Sequence, residues 1–182
     1  YLEPYHPGTF EKLKNDNFCE IGRTFVMPDF QNKKILKELI RGFVRIPESK
    51  KMTIGIGLIS FNHRSLNKEC INAFLKILKL SNKQPLDLPN GKYIYEHQMN
   101  YEIDSEKFKL KSENIKFIEK ELKKLDGNFQ MPQVLKPYLR YCEVSYENYS
   151  IATDYNGIIQ LLFSGRSENI SEKQRKYLEK YS

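Results

Sequence analysis

Between Phe18 and Leu80 the pattern of apolar residues changes period three times, and that alternation restricts the fold more than any other feature of the chain. Phe18 to Met27 (FCEIGRTFVM) alternates at period two, with Cys19, Ile21, Arg23, Phe25 and Met27 on one face and Glu20, Gly22, Thr24 and Val26 on the other, and Pro28 stops it. From Asn32 to Ile46 the apolar residues Ile35, Leu36, Leu39, Ile40, Phe43 and Val44 recur at helical spacing, and Pro47 bounds the segment. Lys51 to Phe61 is an apolar run rich in β-branched residues, suited to a strand covered on both faces and pairing beside the first. Its glycines, Gly55 and Gly57, signal a close backbone approach or a bulge. Leu66 to Leu80 returns to helical spacing through Cys70, Ile71, Phe74, Ile77 and Leu78. Strand, helix, strand, helix in that order is the core of an α/β domain.

The later chain is read the same way. Ser81 to Gly91 is a proline-containing loop and Tyr93 to Tyr101 a weak strand. Ser112 to Leu125 is a helix, with Ser112 as its N-cap, an apolar stripe of Ile115, Ile118, Leu122 and Leu125, and Gly127 ending it. Pro132 to Tyr141 is a further helix, and Glu143 to Thr153 and Ile158 to Phe163 form a hairpin around Asp154-Tyr155-Asn156-Gly157. Ser171 caps a polar helix that runs to Tyr181, and Tyr1 to Asn17 reads as a loop with one helical turn.

A chain of 182 residues has the size of one domain, so residues 1–182 are taken as a single unit. Its 40% hydrophobic content argues against disorder, and its apolar runs are too short to cross a bilayer. Cys19, Cys70 and Cys142 are odd in number and widely spaced, which indicates neither a disulfide framework nor a zinc site and fits reduced thiols in the cytoplasm. The formal charge of +7 favours an anionic partner, although lysines alternate with glutamates over much of the surface. No arginine-rich arm or nucleic-acid motif is present, so nucleic acid is not an expected partner. His6, His63 and His97 accompany no nucleophile motif, which removes serine-hydrolase chemistry, and His63 reads as a surface loop residue.

The sharpest chemical feature is Glu20-Ile21-Gly22-Arg23 inside an apolar strand, where acid and base three apart point to opposite faces. An edge strand or a structural ion pair explains it as well as a reactive site does. The run from Glu20 to Gln31 (EIGRTFVMPDFQ) resembles the E-[IL]-G-R-[ST]-x-V-x-P-x-[YF]-[QR] motif of the bacterial ornithine-lipid and glycine-lipid N-acyltransferases, a hemolysin-like branch of the GNAT-like enzymes. Leu135-Lys136-Pro137-Tyr138-Leu139 and Asp154-Tyr155-Asn156-Gly157 resemble later segments of that family. The Glu and Arg pairing is also similar to that of acyl-homoserine-lactone synthases.

The resemblance implies an α/β, GNAT-like mixed sheet flanked by helices. Only Tyr1 to Phe18 precede the motif, so the opening strands of that fold are expected to be missing. It implies transfer of a fatty acyl group from acyl carrier protein, or acyl-CoA, to the amine of a small amino acid in bacterial aminolipid synthesis; a binding or assembly module of the same fold is the alternative. Glu20 is the candidate base for the amine, and Arg23 would hold a carboxylate, either of the acceptor or one that organises the strand, the structural role being preferred. Gln31, Asn32, Lys33 and Lys34 lead into a helix N-terminus, where free N–H groups and the dipole favour the phosphate of a pantetheine arm. They contain no glycine, unlike the phosphate loop of ordinary GNAT enzymes, which favours a carrier-protein donor over coenzyme A. No metal is expected. The implied location is the cytoplasm, with peripheral contact at the inner membrane as a further expectation.

Overall fold

A computed structural model of the chain describes residues 3–22, 35, 38–39, 41–43, 45, 49–81, 84–91, 108, 114–141 and 144–179. Among these, four strands form one mixed sheet: β1 (Phe18–Ile21), β2 (Ile54–Phe61), β3 (Val144–Ala152) and β4 (Ile158–Arg166), in the order β1-β2-β4-β3. The helices are α1 (Thr9–Leu13), α2 (Lys68–Leu80), α3 (Ile115–Leu125), α4 (Leu135–Tyr141) and α5 (Glu172–Glu179). Residues 35, 38, 39, 41–43 and 45 are also helical, within the segment whose period predicts a helix. The α/β class expected from the alternating periods is therefore observed.

β1 and β2 run parallel, with Phe18 opposite Ile54 and Ile21 opposite Gly57, so the chain between them must cross over the sheet. β4 then lies antiparallel to β2 along its whole length and antiparallel to β3 on its other side. The β3–β4 hairpin closes through a 3-10 turn at Thr153–Tyr155, followed by Asn156 and Gly157 in the left-handed region (φ 59° and 68°). Asn and Gly are the residues that adopt this geometry at least cost. Of the expected strand Phe18 to Met27, Phe18–Ile21 is strand, Gly22 is not, and residues 23–27 lie outside the described residues. The weak strand at Tyr93 to Tyr101 lies outside the described residues.

The two faces of the sheet bury different sets of side chains. On one face Ile59, Phe61, Leu161 and Phe163 pack against Phe74, Ile77 and Leu78 of α2 and Ile118 and Leu122 of α3. Phe61, Phe74 and Phe129 form an aromatic triplet with ring centroids 4.8–6.2 Å apart, a spacing at which tilted rings attract. On the other face Ile54, Ile56 and Leu162 pack against Leu13 of α1 and Leu86 and Leu88 of the loop at residues 84–91.

The corner between α2 and α3 is fixed by Asn67 and Asp126. Asn67 caps α2, its Oδ1 accepting from Cys70 N at 2.8 Å, while its Nδ2 donates to Leu125 O at 2.8 Å. The Asp126 carboxylate accepts from Asn67 N at 2.7 Å and Asn128 N at 3.0 Å, and these bonds hold it below the usual carboxylate range. The described part of α3 begins at Ile115 behind Asn114, and the expected cap Ser112 lies outside the described residues; the expectation for its other end is corrected. The helix stops because Asp126 turns to an extended conformation (φ −150°, ψ 114°), not because Gly127 adopts a left-handed one. At α5 the expectation holds: Ser171 Oγ accepts from Gln174 N, and Gln174 Oε1 accepts in return from Ser171 N at 2.8 Å, a reciprocal cap.

Candidate functional site

The glycines of β2 create the site. Gly55, Gly57 and, across the ladder, Gly165 remove three side chains from one face of the sheet, next to where Ile59 and Phe163 begin the main core. Above this strip lie Phe43 and Tyr138, whose rings stack at 6.2 Å with only 4° between their planes. The space between is a cavity of about 100 Å³. Ile21, Met52 and Val144 add to its lining, and Thr53, Ser167 and Ile170 close the end of the sheet where Ser167 N donates to Thr53 O at 2.9 Å. Most of the lining surface is apolar, its polar residues being Thr53, Ser164, Arg166 and Ser167. Such a cavity takes a hydrocarbon group readily, whereas a polar ligand would leave groups unpaired inside it.

Of the two glycines of β2, Gly57 marks the close approach of backbone that the sequence indicates, Gly55 does not, and neither marks a bulge. A Cβ on Gly57 would stand 2.7 Å from the carbonyl oxygen of Ile21, so the β1–β2 pairing itself requires glycine there. The bulge lies in β3 instead, where the register shifts between Tyr146 and Asn148 and Glu147 is the extra residue.

Glu20 is half-buried on β1, opposite Ile56. Residues paired in a parallel ladder share a face, so Glu20 lies on the side of Ile54 and Ile56, and the next residue, Ile21, lines the cavity. Acyl transfer at Glu20 leads one to expect a tunnel wide enough for a chain beside it; the cavity of about 100 Å³ lies one residue further along β1 and on the opposite face of the sheet. β1 is also an edge strand among the described strands, the setting in which a charged side chain on a strand is ordinary. Arg23, Gln31, Asn32, Lys33 and Lys34 lie outside the described residues.

Three titratable groups inside the fold, Glu147 half-buried and His6 and His63 buried, carry no site motif in the sequence. Glu147, in the bulge, accepts from Leu86 N at 3.0 and 2.9 Å and from the Ser164 hydroxyl. Burial pushes its carboxyl above the ordinary range, and the bonds from Ser164 and Leu86 oppose that shift. With Asn148, whose Nδ2 donates to Leu88 O at 3.2 Å and Pro89 O at 2.7 Å, it ties residues 86–89 across the face that carries Ile56. A glutamate inside the alternation of Glu143 to Thr153 is the sequence signal that could have found it. His6 has no exposed surface, and burial lowers its imidazole to about 4. His63 is 8% exposed, which corrects the surface reading; it packs against Phe61 (centroids 6.5 Å apart), and burial lowers its pKa.

The described cysteines lack the properties of a nucleophile. Burial raises the Cys19 thiol and pushes that of Cys70 up to about 12, so neither supplies thiolate at neutral pH. Among the described residues no group of three or more His, Cys, Asp or Glu is arranged to hold a metal ion, and no helix is long and apolar enough to cross a membrane. Comparison of the chain with protein-family models, with curated proteins and with solved structures gives no match.

Proposed function

We propose that this chain is an acyl-transferring domain of the GNAT-like class. More particularly, we read it as an N-acyltransferase that moves a fatty acyl group from acyl carrier protein, or acyl-CoA, to the amine of a small amino acid in bacterial aminolipid synthesis, in the cytoplasm or at the inner membrane surface. The observation that carries this reading is the apolar cavity over Gly55, Gly57 and Gly165, lined by Ile21, which ends β1 and follows Glu20. The mixed sheet with a parallel β1–β2 pair is compatible with it.

In this reading part of the acyl chain lies in the cavity and its thioester carbonyl projects at the end of β1, where Glu20 and Ile21 flank the strand from opposite faces. The acceptor ammonium loses a proton to the Glu20 carboxylate, the free amine attacks the thioester carbon, the C–S bond breaks, and the departing thiolate takes a proton as the amide forms. Direct transfer fits the protonated state of Cys19 and Cys70. Lys33 and Lys34 supply positive charge for the pantetheine phosphate and for an acidic carrier protein.

One observation favours a second reading, a binding module without catalysis: Glu20 lies across the sheet from the cavity. The two readings separate in a transfer assay with purified chain, acyl carrier protein charged with a fatty acyl group, and a panel of amino acids. An enzyme gives N-acyl amino acid that Glu20→Gln abolishes; a module gives chain binding and no amide.

A further inference from the structure

Gly55 and Gly57 lie two residues apart on the cavity floor, yet the structure asks different things of them. A methyl group on Gly57 would collide with the backbone of β1. On Gly55 it would meet Ile21 Cδ1 at 3.4 Å and Gly165 O at 3.9 Å, ordinary contact distances. Its partner across the ladder is another glycine, Gly165, so two neighbouring strands are bare at the same level. Gly55 has no left-handed backbone to accommodate either, since its φ is not positive. The fold therefore tolerates a side chain at Gly55, and what a larger residue would consume is cavity space.

We infer that Gly55 is the size filter of the site. The bare floor at Gly55 and Gly165, facing the wall formed by Phe43 and Tyr138, admits one straight hydrocarbon chain, and bulk at position 55 limits what enters. The inference rests on the acyl-transfer reading for the identity of the chain. The occupant is hydrocarbon because most of the lining is apolar, its polar residues being Thr53, Ser164, Arg166 and Ser167, so a polar group lying among the apolar ones would lose its water without a partner. It is part of a single chain because the cavity, at about 100 Å³, has room for a few carbons of one chain and for nothing broader, the rest of the chain lying outside it.

The test is calorimetric titration of the full chain with dodecanoate and with the same acid methyl-branched near its tail, for wild type, Gly55→Ala and Gly55→Val. Thermal unfolding of each variant is measured in parallel. Wild type binds the straight acid in preference to the branched one. Gly55→Val, displacing about two methylene groups from the cavity, weakens dodecanoate about tenfold, and Gly55→Ala weakens it by a smaller factor while unfolding at the wild-type temperature. Equal affinity of wild type and both variants overturns the filter and leaves the cavity as an acyl site. Absence of binding by wild type overturns the acyl reading of the cavity as well. If Gly55→Val does not fold, Gly55→Ala decides: unchanged affinity counts against the inference and a weaker one supports it.

Discussion

Replacing His6 by phenylalanine should remove a specific part of the protein's sensitivity to acid. The imidazole has no exposed surface, and burial holds it near a pKa of about 4 instead of 6.5. The Asn148 side chain beside it opposes that shift, but no contact between the two has hydrogen-bond geometry. Between about pH 6.5 and pH 4 the unfolded chain binds a proton at this position and the folded chain does not, so stability rises with pH across the window. It is fully present above 6.5 and is lost as the pH falls towards 4. At about 1.4 kcal/mol per pH unit, the interval from 6.5 to about 4 corresponds to about 3 kcal/mol. Denaturant unfolding across that range measures it, and comparing wild type with His6→Phe cancels the other titrating groups, Glu147 among them, to the extent that they act independently. The wild type should lose about 3 kcal/mol more than the variant between about pH 7 and pH 4. Stability curves that run parallel would refute the burial argument, whatever their offset at neutral pH.

Three further outcomes follow from the packing. Phe74→Ala should cost about 3–5 kcal/mol in denaturant unfolding, because the ring is fully buried between Phe61 and Phe129; a loss under about 1 kcal/mol would contradict the aromatic triplet. Gly57→Ala should lower the melting temperature well below that of Gly55→Ala, since only the former meets backbone at 2.7 Å; equal melting temperatures would deny the close β1–β2 approach. Asn67→Ala should cost about 1–2 kcal/mol, as it removes both the α2 cap and the bond to Leu125 O, and faster amide exchange at Cys70 would localise the loss.

The strands, the later helices and the hairpin were legible because each follows from local period and turn chemistry. Ile54 to Phe61, Lys68 to Leu80 and the Asn156-Gly157 turn need no knowledge of distant residues. The cavity was half legible: the glycines of β2 announce a close approach, which Gly57 makes, but the wall comes from Phe43 and Tyr138, which are far apart in sequence and meet only through tertiary packing. His6 read as loop because Pro4, Pro7 and Gly8 surround it, yet Asn148 and the loop near Pro89 bury it. The bulge at Glu147 shows in the sequence as a slip of the alternation: Val144 and Tyr146 share a face with Tyr149 and Ile151, so the apolar period gains one residue between Tyr146 and Tyr149, a step that fixes no position until the partner strand is known. For Glu20 the sequence placed the residue on a strand, and only the ladder register assigns it to the face opposite the cavity.

Acyl transfer that depends on Glu20 is tested most directly by mass analysis of lipids from bacteria expressing the protein, with wild type, Glu20→Gln and an empty vector side by side. A new amine-linked acyl lipid in wild type, absent from the vector control and lost in Glu20→Gln at equal expression, is the predicted result. A lipid profile indistinguishable from the vector control, from well-expressed protein with several amino acids supplied, would contradict it.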